Sequence, residues 1–296
     1  MPRRKITTIA GVLLACTCLA TPGLAQTQAA NGTPPPGEAD RSAAAMAQEA
    51  ANPLANSWLL QIQQNNNWLD VPGADDRRVQ SNLVFQPLMN VRLAEKWPLF
   101  IRPMVTVVNS LPNLDPNAQS ERTSGFGDTA LAFVMPRPLF GGRLMLGAGP
   151  TFIFPTASDR QLGQDTWQLG PDVGAVLLGR KFITYAFVQQ WFKIGGDGRN
   201  TNQMNGVFAY TYTFANGWTL GTQPSLSVDW EAPVDERTTL SLGPQVGKLC
   251  KCGGLPTLFQ VQMQYFPVRP DIVRPTWNIQ LQVTPTIPTL IKKTLF

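Results

Sequence analysis

The residues in this chain with catalytic or ligating chemistry are the carboxylates Asp128, Asp172 and Asp229 and the sulfur pair of Cys250-Lys251-Cys252. Two carboxylates within reach of each other act as general acid and base. Closely spaced Cys residues hold zinc or cycle between thiol and disulfide. The 296 residues include no His, which removes Ser-His and Cys-His nucleophiles and most zinc hydrolases. Without His, Cys-Lys-Cys is a poor metal site and reads as a simple cysteine pair in a turn. The three Asp lie in separate segments, and nothing in their spacing brings two of them together. Gly125-Phe126-Gly127 is too short for a phosphate loop. The sequence predicts no enzyme, no cofactor and no metal.

What must position these side chains is a strand. From Trp218 to Trp230 the chain is apolar on almost every even position and small or polar on every odd one. Successive strand side chains point to opposite faces, so one face is apolar and the other wet. Twelve steps of ~3.3 Å, tilted by roughly 40°, span about 30 Å, the height of a bilayer's apolar band with its interfacial belts. In 259–265, Phe259, Val261, Met263 and Tyr265 alternate with Gln260, Gln262 and Gln264. In 277–284, Trp277, Ile279, Leu281 and Val283 alternate with Asn278, Gln280, Gln282 and Thr284. A row of Gln is wrong for a packed soluble core and right for a watery lumen. The prediction is an all-β fold, an antiparallel transmembrane β-barrel with a short N-terminal helical segment.

About twelve alternating segments are expected, the even count of bacterial barrels. They lie near 57–66, 79–92, 96–108, 125–136, 143–154, 165–178, 182–193, 202–214, 217–230, 237–248, 257–267 and 275–285. The connections alternate long and short, as outer loops and periplasmic turns do. Trp58, Trp97, Trp167, Trp191, Trp218, Trp230 and Trp277 fall near predicted strand ends and read as an aromatic girdle. Against the pattern, Pro103, Pro150, Pro171, Pro224 and Pro244 lie inside predicted strands, where each removes a ladder donor. Several follow Gly, which suits a local kink.

The barrel is expected over 56–290, with a tail at 291–296. Residues 1–25 read as a secretory signal peptide: Arg3-Arg4-Lys5, an apolar run from Ile6 to Ala20, then small residues at Gly23 and Ala25. A rival lipoprotein-type cut before Cys16 would need Leu13-Leu14-Ala15 ahead of it, and Leu14 fits that pattern poorly. Removing 1–25 takes three of the 24 basic residues and no acidic one, so the net charge falls from +5 to +2. No nucleic-acid-binding patch is expected. No later stretch approaches the ~20 apolar residues of a membrane helix. Residues 26–55 read as a polar linker and one short helix within 41–52, stopped by Pro53, either loose or folded into the lumen as a plug.

Several stretches also resemble the outer-membrane family associated with phenol meta-pathway degradation, often labelled transporters. They include Asn52–Trp58, Gly125-Phe-Gly-Asp128, Leu146–Thr156 and Gln168–Val173. Gly217-Trp218, Gln223-Pro224, Asp229-Trp230 and Leu242–Lys248 continue the series, and the likeness covers residues 50 to 290. The resemblance implies a barrel whose prolines are a family habit, and it associates the chain with aromatic solutes. The end departs from the usual barrel-assembly signal: Phe296 is terminal, but Ile291–Leu295 does not alternate.

By parity Arg102, Asp128, Asp172 and Asp229 face inward, and Arg102 and Asp128 on neighbouring strands are expected to pair. The remaining lumen candidates are amides: Gln168, Gln190, Gln203, Asn205, Gln223, Gln245, Gln260, Gln262, Gln264, Gln280 and Gln282. With neither rows of Lys and Arg nor rows of Asp and Glu, the lumen is neutral and hydrogen-bonding. The expected function is a passive channel for small organic solutes, aromatic or hydrophobic ones by the resemblance. Its partners are the lipid bilayer of the cell outer membrane, the barrel-assembly machinery during biogenesis and the solute. Two rivals stand: a non-conducting barrel that presents its outer loops, and a soluble periplasmic β-protein.

Overall fold

Alternation of apolar and polar side chains over some twelve residues at a time gives strands too long and too one-sided for a packed globular core. In the computed structural model, which describes residues 42–71, 73, 77–94, 97–113, 121–271 and 274–290, those strands form one closed antiparallel wall. The strands are β1 (Trp58–Asp70), β2 (Arg78–Ala94), β3 (Trp97–Pro112), β4 (Arg122–Phe126), β5 (Thr129–Leu139) and β6 (Leu144–Phe154). Then come β7 (Trp167–Leu178), β8 (Phe182–Gly195), β9 (Asn202–Thr213), β10 (Trp218–Thr222) and β11 (Ser225–Asp229). The wall ends with β12 (Thr238–Leu242), β13 (Pro244–Cys252), β14 (Leu255–Val268) and β15 (Arg274–Ile287). Three pairs, β4/β5, β10/β11 and β12/β13, each build one pass, so the wall is a twelve-stranded barrel. Closure is direct: β1 pairs with β2 on one side and with β15 on the other, from Trp58↔Ile287 to Asp70↔Arg274.

Parity sorts the wall. On β14, Val261 is 51% exposed and its neighbour Gln262 is 1% exposed. Gln260, Gln264, Asn278, Gln280 and Gln282 are buried within, while Met263, Tyr265, Trp277 and Leu281 are exposed outside. Connections at one end are tight, at Ala94/Trp97, Leu139/Leu144, Leu178/Phe182, Thr213/Trp218 and Cys252/Leu255. Those at the other end are longer, including Phe154 to Trp167 and Asp229 to Thr238. The predicted signal peptide, most of the linker and the tail at 291–296 lie outside the described residues.

β8 departs from the expected parity. Trp191 is 6% exposed and donates its indole N–H to Thr151 Oγ1 at 3.2 Å, inside the barrel. It is not a girdle residue. Gln190, expected in the lumen, takes the opposite parity, where its amide donates to Asn202 Oδ1 (2.7 Å) and accepts from the Trp230 indole (3.3 Å). The physical reason is that both faces of β8 are apolar: Ile183, Tyr185 and Phe187 on one, Phe182, Val188 and Phe192 on the other. Hydrophobicity alone cannot choose between them. Trp97, Trp167, Trp218, Trp230 and Trp277 are exposed.

Two of the prolines mark breaks between strands, while Pro103 keeps its place in the ladder opposite Leu131. Pro224 lies between β10 and β11, and Pro244 opens β13 directly after the break that ends β12. Pro150 and Pro171 face each other across β6 and β7. The glycines before Pro171 and Pro244 are sterically required: a Cβ on Gly170 would lie 1.7 Å from the Gln190 carbonyl oxygen, and one on Gly243 1.7 Å from that of Met263. Each neighbouring strand has moved into the space the missing side chain leaves.

Gly170→Ala and Gly243→Ala should therefore each lower the unfolding free energy of the refolded barrel by about 1–3 kcal/mol, the usual cost of overpacking. Urea titration of tryptophan fluorescence in lipid vesicles measures it. Gly141→Ala, at a turn with nothing within 4 Å of the new Cβ, has only its positive φ to contend with and should cost less. Equal midpoints for Gly170→Ala and wild type would show that the strand contact is not tight.

Candidate functional site

The wall encloses a bore whose three levels have different chemistry. At the tight-turn end it is apolar. The helix α1 (Ala43–Ala50), N-capped by the Ser42 hydroxyl, lies against β13 and β14 with Ala47 and Ala50 on Leu249 and Leu258. The Gln48 amide donates to the carbonyls of Gly179 (2.7 Å) and Phe182 (3.1 Å), tying the helix to the β7–β8 turn. After Pro53, Leu54 is buried among Phe100, Val134, Val176, Ile183 and Phe187. Ala55 and Leu59 pack on Leu88. Sequence reading missed this apolar seat. Its signal was present on β14, where Leu258 holds the inward parity of Gln260, Gln262 and Gln264 but sits one step nearer the turn.

Above Leu54 lies a charged centre. Arg102 on β3 meets Asp172 on β7, Nη2 to Oδ2 at 3.3 Å. Gln189 Nε2 donates to the same oxygen at 2.9 Å and to Thr151 Oγ1 at 3.3 Å. The expected Arg102–Asp128 pair is not formed. Asp128 sits in the break between β4 and β5 and accepts from the backbone N–H groups of Ala157 (3.2 Å) and Gln164 (2.8 Å). A carboxylate accepting two backbone bonds is a loop anchor, and Asp128 holds the β6–β7 connection against the wall. Neighbouring strands suggested one partner; the strand stagger brings Asp172, two passes further on, to the guanidinium instead.

A cavity of ≈ 530 Å³ opens at this level, with Arg102, Tyr185, Phe187, Trp191, Gln203 and Gln223 among its walls. Asp229 also reaches it, paired with Arg199 at 2.6 Å. Gln223 and Gln262 come together: Gln262 Nε2 donates to the Gln223 carbonyl at 3.0 Å, and both line a second cavity of ≈ 340 Å³. Gln168 bridges Gln164 and Gln203 with bonds of 2.6 and 2.8 Å, closing an amide cluster toward the longer loops. Asp172 and Asp229 thus each face an Arg, and Asp128 faces backbone. Among the described residues no three His, Cys, Asp or Glu side chains gather as metal ligands.

Among solved structures, the chain is similar to an outer-membrane channel from Pseudomonas putida F1, at 14% identity over 78% of this chain and 95% of that one, with a TM-score of 0.61. It is also similar to the NanC porin (8% identity, 77% and 98%, TM-score 0.47) and to a FadL homologue from Pseudomonas aeruginosa (9%, 84% and 93%, TM-score 0.41). No family model and no curated protein matches the sequence. The first likeness shows the fold, that of an outer-membrane β-barrel.

The reassigned ion pair has a measurable consequence. In a double-mutant cycle of Arg102→Gln and Asp172→Asn, the two effects on unfolding free energy should couple by about 0.5–3 kcal/mol, as contacting charged residues do. The cycle of Arg102→Gln with Asp128→Asn should show additivity within ~0.5 kcal/mol. The reverse pattern would restore Asp128 as the partner of Arg102.

Proposed function

We propose that this protein is a passive outer-membrane channel for small organic solutes, with its N-terminal segment seated as a plug in the tight-turn end of the lumen. The observation that carries the reading is the combination of an apolar outer wall with an amide-lined cavity of ≈ 530 Å³ inside it. Lipid outside and water inside are the two solvents such a wall separates. The resemblance to the phenol meta-pathway family and the likeness to the Pseudomonas putida F1 channel support transport as the task. Neither fixes the solute.

No coupling of energy enters the mechanism: solutes diffuse down their gradient through a bore whose charges are balanced. Export past the inner membrane uses the predicted signal peptide, and insertion uses the barrel-assembly machinery. The helix and Leu54, lodged among inward-facing apolar side chains, restrict flow at the end expected to face the periplasm. The same lodging supports a second reading, a permanently sealed barrel that serves only to present its outer loops.

Planar-bilayer conductance of the refolded protein separates these readings. A chain beginning at residue 26 should give small or intermittent openings. One beginning at residue 57, or carrying Leu54→Ser with Gln48→Ala, should give steady steps several-fold larger. Silence in all three forms would reject the channel, and identical conductance in all three would reject the plug.

A further inference from the structure

The bore is two-faced. In a ring of twelve passes, β1 stands diametrically opposite β8, because five passes lie between them on either side. The β1 side is an amide wall: Gln63 Nε2 donates to Gln282 Oε1 at 2.9 Å, and Gln282 Nε2 donates to Gln260 Oε1 at 3.1 Å. Gln61 and Gln63 of β1 and Gln86 of β2 face the cavity of ≈ 530 Å³. Across the lumen, β8 presents Tyr185, Phe187 and Trp191 on one face, with the Tyr185 and Phe187 rings 5.6 Å apart. Ala130 and Ala132 on β5 leave open space beside them in the cavity of ≈ 530 Å³.

The charges there favour neither sign. Arg102 is matched by Asp172 and Asp229 by Arg199, and Glu236 and Arg237 add one charge of each sign to the same lining. An ion would gain little from charges already balanced, and would lose its hydration on entry. An aliphatic solute would leave the amide wall facing nothing that can bond to it. A simple sugar would meet that wall but leave the aromatic column unused.

We propose that the cavity binds uncharged, elongated molecules with a flat aromatic ring at one end and several hydroxyl groups at the other, of the aryl-glycoside type. This rests on the channel reading above and names its solute. The ring stacks on the β8 column, as aromatic groups do at offset or edge geometry. The hydroxyls donate to amide oxygens and accept from amide N–H groups on the β1 side. The cavity lies within the size range of small-molecule sites.

The probe is phenyl β-glucoside, with glucose and phenol as its two halves, added to single channels of the chain from residue 26 carrying Leu54→Ser with Gln48→Ala. Phenyl β-glucoside should interrupt the current with a residence time about five- to tenfold longer than either half, the stacking or hydrogen-bonding contribution that each half lacks. Trp191→Leu and Gln63→Leu should each bring it back toward the half-molecule values, and Tyr185→Leu provides a second aromatic variant should Trp191→Leu fail to fold. Equal residence for all three probes, or indifference to every substitution, would overturn the assignment while leaving the channel intact. If no form conducts, the channel reading fails separately. Saturation-transfer NMR on the refolded protein then decides: transfer to both ring and sugar protons supports the site, and none overturns it.

Discussion

Every other feature of this molecule depends on the pairing of its first strand with its last. A sheet in hydrocarbon cannot leave an edge, because each unmade backbone hydrogen bond costs several kcal/mol there. The ladder from Trp58↔Ile287 to Asp70↔Arg274 removes that edge. Closure in turn gives each strand an inside and an outside, so a period of two in the sequence becomes a partition between solvents. The bore exists because the wall closes, and its chemistry is whatever the inward positions carry.

Those inward positions are not uniform, and their gradation builds the site. Near the tight turns they are Leu, Ile and Val, which would be poor contacts for water; the N-terminal segment covers them with Ala47, Ala50 and Leu54. At mid-height they are a matched ion pair with aromatic neighbours. Toward the longer loops they are amides, with Asp128 fastening the β6–β7 connection beside them. The apolar seat and the helix explain each other: neither would be stable against water alone. At Gly170-Pro171 and Gly243-Pro244 the backbone of a neighbouring strand fills the place of a side chain, and the overall ring is kept.

Much of this was legible in the residues. The strand count, the alternation of short and long connections and the inward row Gln260–Gln262–Gln264 follow from a pattern that the structure reproduces. The parity of β8 was not legible, since Phe182, Val188 and Phe192 outside match Ile183, Tyr185 and Phe187 inside in hydrophobicity. Trp191 and Gln190 were exchanged as a result. The partner of Arg102 was also hidden: a sequence gives strand order but not stagger, and stagger decides that Asp172 meets the guanidinium. The seat of the N-terminal segment is a contact between distant parts of the chain, which period and spacing do not encode.

The partition itself can be measured with nitroxide labels at single introduced Cys, in a Cys250→Ser, Cys252→Ser background reconstituted in vesicles. Labels at Leu220 and Val261 should collide preferentially with oxygen dissolved in the acyl chains. Labels at Asn205 and Gln223, which border the main cavity, should collide preferentially with a water-soluble nickel chelate. Nickel-dominated collisions at Leu220 and Val261, with oxygen-dominated ones at Asn205 and Gln223, would contradict the account at its root.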